Sequence, residues 1–150
     1  MKLVDLNNNL YRGPRPSSFS VLRDAGMKSV INLQSGYYDE WNDDTYETEN
    51  GFEFGIADHI VHCSDFFPPK KWQVKKAIDL ITNSSGPTYI HCLHGKDRTG
   101  FMIAAYRIIV CKWPAERAIN EMLSEGFHNW FYFWWKSYLR DLEGMEYGDL

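Results

Sequence analysis

The sequence predicts an α/β fold in which helices cover both faces of a small central sheet. Short β-favouring runs alternate with helical patterns along the 150 residues, and this alternation is typical of a sheet enclosed by helices. The sequence contains no internal repeat, low-complexity tract or long Pro/Gly/Ser linker. We therefore predict a single domain over residues 1–150, a length close to the commonest domain size.

The first half of the chain predicts one helix followed by strands. Residues 17–25 predict a short helix, because serines at its start can cap it and Gly26 can end it. The apolar run 29–33 predicts a buried strand. Residues 34–50 are polar and acidic and predict a long loop or an irregular helix, whereas 52–63 has the apolar content of a strand.

The second half predicts a central strand and four helices. A helix near 70–83 is indicated by apolar side chains at helical spacing, and Pro68 and Pro69 suit the first turn of a helix. Residues 88–92 favour a strand. The run 99–110 is apolar on nearly every side and predicts a helix buried in the middle of the protein. Two further helices are predicted, one from Pro114 to Gly126 and one over 129–143.

The composition argues against several classes of protein. Hydrophobic residues make up 44% of the chain, mean hydropathy is -0.45, and no apolar run reaches the ~18 residues of a membrane-spanning helix. A net charge of -4 gives no reason to expect a nucleic-acid partner. Three cysteines are too few for a disulfide framework, and residues 1–9 lack a secretory pattern, so we expect a cytoplasmic protein.

The strongest chemical signal is the segment His91-Cys-Leu-His-Gly-Lys-Asp-Arg-Thr-Gly100, between the predicted central strand and the buried helix. It places Arg98 six residues after Cys92. The backbone N–H groups of 93–98 can form a nest for an anion, and the helix that follows adds the positive end of its dipole. Such a loop stabilises a thiolate as well as a bound phosphoryl group.

Several residues of this loop have definable tasks. Arg98 can hold two phosphoryl oxygens through parallel hydrogen bonds, a geometry that lysine cannot reproduce. Gly95 permits the tight bend, and Thr99 can offer its hydroxyl to the sulfur of Cys92. We predict Cys92 as the nucleophile, with substrate contacts from Leu93, His94, Gly95, Lys96, Asp97 and Arg98.

These residues resemble the signature of the cysteine-based protein tyrosine phosphatase superfamily, present here as His91, Cys92, Arg98, Thr99 and Gly100. The stretches 9–15, 30–33 and 113–118 are similar to its small dual-specificity-like branch. The resemblance implies that Cys92 displaces an alcohol, forms a phosphocysteine and is released by water, while His91 orients the loop. Positioning and charge neutralisation dominate phosphoryl transfer, so we predict no cofactor and no metal.

A general acid is also required, because an alkoxide or phenoxide leaves poorly without a proton. We predict Asp65, which lies 27 residues before Cys92 in a loop that can close over the site. The resemblance implies an acid on a loop in this part of the chain. Asp58 is the alternative, although its strand-like neighbours would hold it less freely. A structural role for Asp65 would be that of N-cap to the next helix.

Other functions fit the sequence less well. The histidines and cysteines lack Cys-x2-Cys or His-x3-His spacing, and His59 and His62 would point to opposite faces of one strand. A nucleotide-binding loop would need Ser or Thr where Asp97 follows Lys96. A rhodanese-like sulfur transferase and a non-catalytic phosphate-binding module both remain as alternatives that the Cys92 and Arg98 pair makes less favourable.

Two substrate classes remain open: phosphorylated protein, phosphotyrosine above all, and a polyphosphorylated small molecule such as an inositol polyphosphate. His94, Lys96 and the lysines at 70, 71, 75 and 76 favour a polyanion. Asp97 opposes it, and lysines on a helix usually form a solvated face. We rank phosphoprotein first and expect vanadate-type anions to bind in either case.

The run 130–135 consists entirely of aromatic residues. A helix buries only one stripe of its surface, so we predict core packing for some of these rings. The remaining rings are available for a partner surface.

Overall fold

The computed structural model describes residues 1–34 and 51–150. Its strands are β1 Lys2–Asp5, β2 Leu10–Gly13, β3 Ser29–Asn32, β4 Ala57–Ile60 and β5 Thr88–His91. They form a central five-stranded sheet in the order β1-β2-β5-β3-β4. The first pair is antiparallel and all other pairs are parallel.

The middle strand, β5, directs the chain to the candidate site. All four of its residues are buried, and it lies between β2 and β3, with Ile90 in register with both Arg12 and Ile31. Carboxyl ends of neighbouring parallel strands share one edge of a sheet, where ligands commonly bind. The loop that begins at Cys92 therefore emerges at this edge, between the segments that follow β2 and β3.

Helices cover both faces of the sheet, which confirms the predicted fold class. Residues 1–34 and 51–150 contain the α-helices α1 Phe19–Asp24, α2 Lys71–Thr82, α3 Arg98–Ile109, α4 Ala115–Ser124, α5 Asn129–Tyr132 and α6 Trp135–Leu142. One face carries a large apolar layer from α2, α3, α4 and α6, and the other packs against α1 and a 3-10 helix at Gly51–Phe54.

Helix α3 lies between the sheet and the outer helices. Nearly all of its residues are buried, which explains the apolar side chains all around the predicted helix 99–110. It also places the start of this helix, at Arg98, beneath the loop after β5. Helix α1 begins after Ser18, whose hydroxyl contacts Ser20 rather than the backbone.

Three element predictions need correction. The strand predicted over 52–63 is only β4, and the two prolines precede α2 instead of forming its first turn. The helix predicted over 129–143 is divided into α5 and α6, because the chain turns at Phe133 and Trp134. Periodicity cannot reveal that break where aromatic side chains occupy every position. Apart from Gln34, the loop or irregular helix predicted for 34–50 lies outside the described residues.

Candidate active site

Cys92 and Arg98 lie on one cavity at the carboxyl edge of the sheet. Cys92 directly follows β5 and Arg98 begins α3, and their exposed fractions are 3% and 6%. The cavity has a volume of about 170 Å³. Its lining consists of Asp65, Cys92, Leu93, His94, Asp97, Arg98 and Tyr132.

The segment after β2 supports the loop from behind. Gly95 has a φ of +73°, and a Cβ there would lie 2.3 Å from the carbonyl oxygen of Gly13, so this position requires glycine. The buried Arg12 donates a hydrogen bond of 2.8 Å to the carbonyl of Gly95. The backbone N–H of Arg15 donates to Leu93 at 3.0 Å. The outer side of the loop is therefore fixed to residues 12–15.

Arg12 is a supporting residue for which the sequence predicted no role. Burial lowers the pKa of its guanidinium, while the negative charge of Glu125 counteracts that shift. The sequence predicted no strand over 10–13, so nothing there indicated that this charged side chain is buried. Its partner Gly95 lies 83 residues away, and residue spacing does not identify such a contact.

Arg98 connects the loop to the segment that follows β4. Its Nη1 lies 3.4 Å from the carbonyl oxygen of Cys63, to which it donates. Burial raises the pKa of the Cys63 thiol to about 12, so this thiol stays protonated and packs as a small apolar side chain.

His91 and Thr99 occupy the interior on either side of the loop. The ring of His91 is fully buried with Nδ1 3.1 Å from the carbonyl oxygen of Cys92, and burial lowers the pKa of this histidine to about 4. His91 is therefore neutral near pH 7. The buried hydroxyl of Thr99 has no hydrogen-bond partner among residues 1–34 and 51–150. A hydroxyl in that state is available to an anion in the loop.

Of the two candidate acids, only Asp65 reaches the cavity. Asp58 lies on β4 in register with Val30, which is in register with Tyr89, near the start of β5. It is therefore remote from the carboxyl edge. The alternative role of Asp65 as an N-cap does not apply, because Lys70 is the N-cap of α2.

The segment carrying Asp65 is held at several points. Tyr132 donates its phenol to the carbonyl of Asp65 at 2.6 Å, and the indole N–H of Trp135 donates to Phe66 at 3.1 Å. Before this segment, the Gln73 amide donates to the carbonyl of His62 at 2.6 Å. The sequence did not indicate Tyr132 or Gln73, which act over separations of 67 and 11 residues.

Asp97 and Lys96 face different surroundings. The carboxylate of Asp97 lines the cavity and accepts the backbone N–H of His128 at 2.8 Å, while the His128 ring lies at 2.8 Å as well. Lys96 is exposed, and a Cβ added at Gly126 would lie 3.1 Å from its Cδ. The stem of Lys96 therefore runs along the connection between α4 and α5 and is not part of the cavity lining.

A larger cavity of about 310 Å³ lies beside the segment 68–71, and it is lined by Val74, Phe101, Tyr138 and Leu142 among others. No cysteine or histidine of the described residues contributes to it. Within the described part of the chain, no three His, Cys, Asp or Glu side chains are grouped as metal ligands. His62 lies beyond the end of β4, with its Nδ1 3.0 Å from the carbonyl oxygen of Gln34, so it does not share a strand with His59 as predicted.

None of the described helices is long and apolar enough to cross a membrane.

The chain is similar to known phosphatases in both sequence and fold. Residues 10–112 match the family model described as "Polymorphic toxin system, DSP-PTPase phosphatase". The inositol diphosphatase DSP4 of Arabidopsis thaliana is 32% identical over 123 residues, which cover 77% of this chain and 59% of the relative. The chain therefore spans less than two thirds of that relative's length.

Two solved structures share the fold at 22% identity. The catalytic domain of the S. cerevisiae PP-IP phosphatase SIW14, in complex with citrate, has a TM-score of 0.69 and covers 90% of this chain and 81% of its own. P. aeruginosa TpbA, in complex with pTyr, has a TM-score of 0.67 with coverage of 93% and 87%.

Proposed function

The chain belongs to the DSP-PTPase phosphatase family, and from this membership we propose that it hydrolyses phosphate monoesters through a phosphocysteine, without a cofactor. The observation that carries the proposal is the shared cavity of Cys92 and Arg98, at a loop between a buried strand and a buried helix. The resemblance to the phosphatase signature is thus confirmed at the level of the family.

The proposed reaction has two steps, and Asp65 acts in both. The sulfur of Cys92 attacks phosphorus as the bond from phosphorus to the ester oxygen breaks, and Asp65 gives that oxygen its proton. Arg98 and the N–H groups of the loop hold the remaining phosphoryl oxygens. Thr99 donates its hydroxyl to the sulfur. Water then attacks the phosphocysteine, returns a proton to Asp65, and releases phosphate and the thiolate.

Hydrolysis of p-nitrophenyl phosphate in EDTA tests this proposal. We expect turnover that is unaffected by the chelator and inhibited by vanadate, which can adopt the five-coordinate geometry of the reacting phosphorus. The absence of turnover would instead favour a non-catalytic phosphate-binding module. Loss of turnover in EDTA with recovery on adding zinc or magnesium would favour metal-assisted hydrolysis.

Asp65→Asn should slow the hydrolysis of alkyl phosphates far more than that of p-nitrophenyl phosphate. The nitrophenolate leaves readily without a proton, whereas an alkoxide depends on the acid. The ratio of kcat/KM values for the two substrates measures the effect. Asp58→Asn is the matched control and should leave that ratio unchanged. If Asp58→Asn alters the ratio and Asp65→Asn does not, the assignment of the acid is wrong.

The cavity walls support phosphoprotein, phosphotyrosine above all, as the first substrate class. Tyr132 and Leu93 offer a flat aromatic and an apolar wall, which suit a phenyl ring. Among the residues that the structure describes, the charged lining consists of two carboxylates, Asp65 and Asp97, and one guanidinium, Arg98. A ligand with a single phosphoryl group is repelled less by those carboxylates than a polyphosphate is.

Inositol phosphates are the second candidate, supported by the 32% identity to a relative described as an inositol diphosphatase. In the loop, His94 lines the cavity and Lys96 follows two residues later. Lys96 would have to swing away from Gly126 to reach a second phosphate. Its long flexible stem permits such a movement.

Lys96→Met separates the two substrate classes, because it removes the charge and keeps most of the stem. If inositol polyphosphate is the substrate, kcat/KM for that compound should fall much more than for a phosphotyrosine peptide, and salt should reduce the difference. Lys28→Met is the control, because this exposed lysine directly precedes β3 and so lies at the opposite edge of the sheet. An equal fall for both substrates would remove the argument for inositol phosphates.

A cytoplasmic location is part of the proposal, because a nucleophilic thiol works only while it is reduced. The net charge of -4 supports leaving nucleic acids out of the proposed partners.

A further inference from the structure

An aromatic surface beside the cavity has no role in the proposed reaction. We name it the aromatic ridge, and its six rings are Phe66, Phe67, Trp130, Phe131, Phe133 and Trp134. Exposed fractions reach 79% for Trp130, 63% for Phe67 and 62% for Phe133. Soluble proteins rarely leave a contiguous apolar surface exposed unless it binds something.

The rings of the ridge form one continuous network. Phe66 is central, with ring centroids 5.0 Å from Phe67, 6.4 Å from Phe131 and 5.4 Å from Trp134. Trp130 then contacts Phe131 at 5.6 Å. All five contacts, including that between Phe133 and Trp134, are edge-to-face or tilted, which are favourable arrangements. A surface held in place in this way loses little conformational entropy when a ligand binds.

The ridge is continuous with the wall of the cavity. Phe66 follows Asp65 directly, and the ring of Phe131 lies 4.8 Å from that of Tyr132. Asp65 and Tyr132 both line the cavity. A ligand whose phosphoryl group is bound at Cys92 therefore meets the ridge as the rest of the ligand leaves the cavity.

The charges near the ridge favour a polypeptide over an anionic membrane. A membrane-binding aromatic surface is normally accompanied by an excess of lysine or arginine. Here the cavity side contributes Asp65, Asp97 and the buried Arg98, and the neighbouring larger cavity combines Lys70 and Lys71 with Asp141. Because positive and negative charges are mixed, the surface has no net electrostatic attraction for anionic lipid. The same charges do not repel a peptide with apolar side chains.

From these observations we propose that the aromatic ridge binds apolar residues that flank the phosphorylated residue of a protein substrate. This inference rests on the proposed function and deepens it, because it names the sequence context that the site selects. The ridge contributes binding energy for peptides and none for a small phosphate ester. It should therefore raise kcat/KM only for peptides that have apolar residues beside the phosphorylated residue.

The test compares two phosphotyrosine peptides, one with leucine and one with serine at the positions beside the phosphotyrosine, and p-nitrophenyl phosphate. The double variant Phe67→Ala, Trp130→Ala should lower kcat/KM for the leucine peptide by about tenfold, the effect of losing two partly exposed ring contacts. The serine peptide and p-nitrophenyl phosphate should change little. Trp72→Ala is the matched control, because this tryptophan is 58% exposed and belongs to α2 rather than to the ridge.

Several results would overturn the proposal. One is an unaltered preference for the leucine peptide in the double variant, and another is an equal fall for all three substrates, which would mark the rings as structural. A third concerns phosphatidylserine vesicles. If the unaltered chain sediments with them, and the double variant no longer does so but keeps its peptide preference, the ridge binds membrane instead. If the unaltered chain fails to hydrolyse p-nitrophenyl phosphate, the proposed function fails; normal turnover without a flank preference overturns only the ridge proposal.

Discussion

Replacing Cys92 with serine should abolish turnover of p-nitrophenyl phosphate while inorganic phosphate still binds. A serine hydroxyl ionises far less readily than a thiol, so the loop loses its nucleophile. The N–H groups of the loop and Arg98 remain, and they supply most of the attraction for the anion. Steady-state kinetics and isothermal titration with phosphate measure the two quantities separately.

Cys111→Ser is the control for this experiment. Cys111 is half-buried, with its sulfur 3.7 Å from the carboxylate of Asp5, and it does not line the cavity. That variant should keep near-normal activity. Retention of more than a few per cent of turnover in Cys92→Ser, with contaminating phosphatase removed, would exclude Cys92 as the nucleophile.

Arg98→Lys should lower kcat/KM by about a hundredfold or more, the scale expected when a preorganised donor to the transition state is lost. The planar guanidinium can donate to two phosphoryl oxygens and also to the carbonyl of Cys63, at 3.4 Å in the present structure. An ammonium group keeps the charge but cannot hold that geometry. The measurement is kcat/KM for p-nitrophenyl phosphate, with thermal unfolding as a check on the fold.

Arg140→Lys provides a matched replacement of an arginine outside the site. Arg140 forms an ion pair with Glu116 on the surface, and such pairs contribute little to stability. Its replacement should leave the kinetics unchanged. Near-normal kinetics for Arg98→Lys would mean that Arg98 has a structural role and would remove one half of the observation on which the proposed function rests.

The site elements that are local in sequence were predicted well. The strand before Cys92, the buried helix after it and the bend at Gly95 follow from a β-favouring run, an all-round apolar pattern and a glycine at fixed spacing. The structure gives β5 as Thr88–His91 and α3 as Arg98–Ile109, each one residue from the predicted bounds. These signals lie within a few residues of one another, so they can be recognised in the sequence without knowledge of the fold.

The contacts that hold the site together could not be predicted. Arg12 reaches Gly95 across 83 residues, and Tyr132 reaches Asp65 across 67. Such pairs depend on how the sheet orders β2 beside β5 and on how α5 packs against the segment after β4. Residue spacing alone does not contain that information, and the aromatic run at 130–135 concealed the turn that separates α5 from α6.

The most direct test of the proposed chemistry is detection of the phosphocysteine itself. The chain is mixed with p-nitrophenyl phosphate in EDTA, quenched within a turnover, digested and examined by mass spectrometry. We expect one added phosphoryl group on the peptide that contains Cys92, and a larger fraction of it in Asp65→Asn, where attack by water lacks its base. Full turnover with no phosphoryl group on that peptide under any quench condition, or with the group on another residue, would contradict the proposed mechanism.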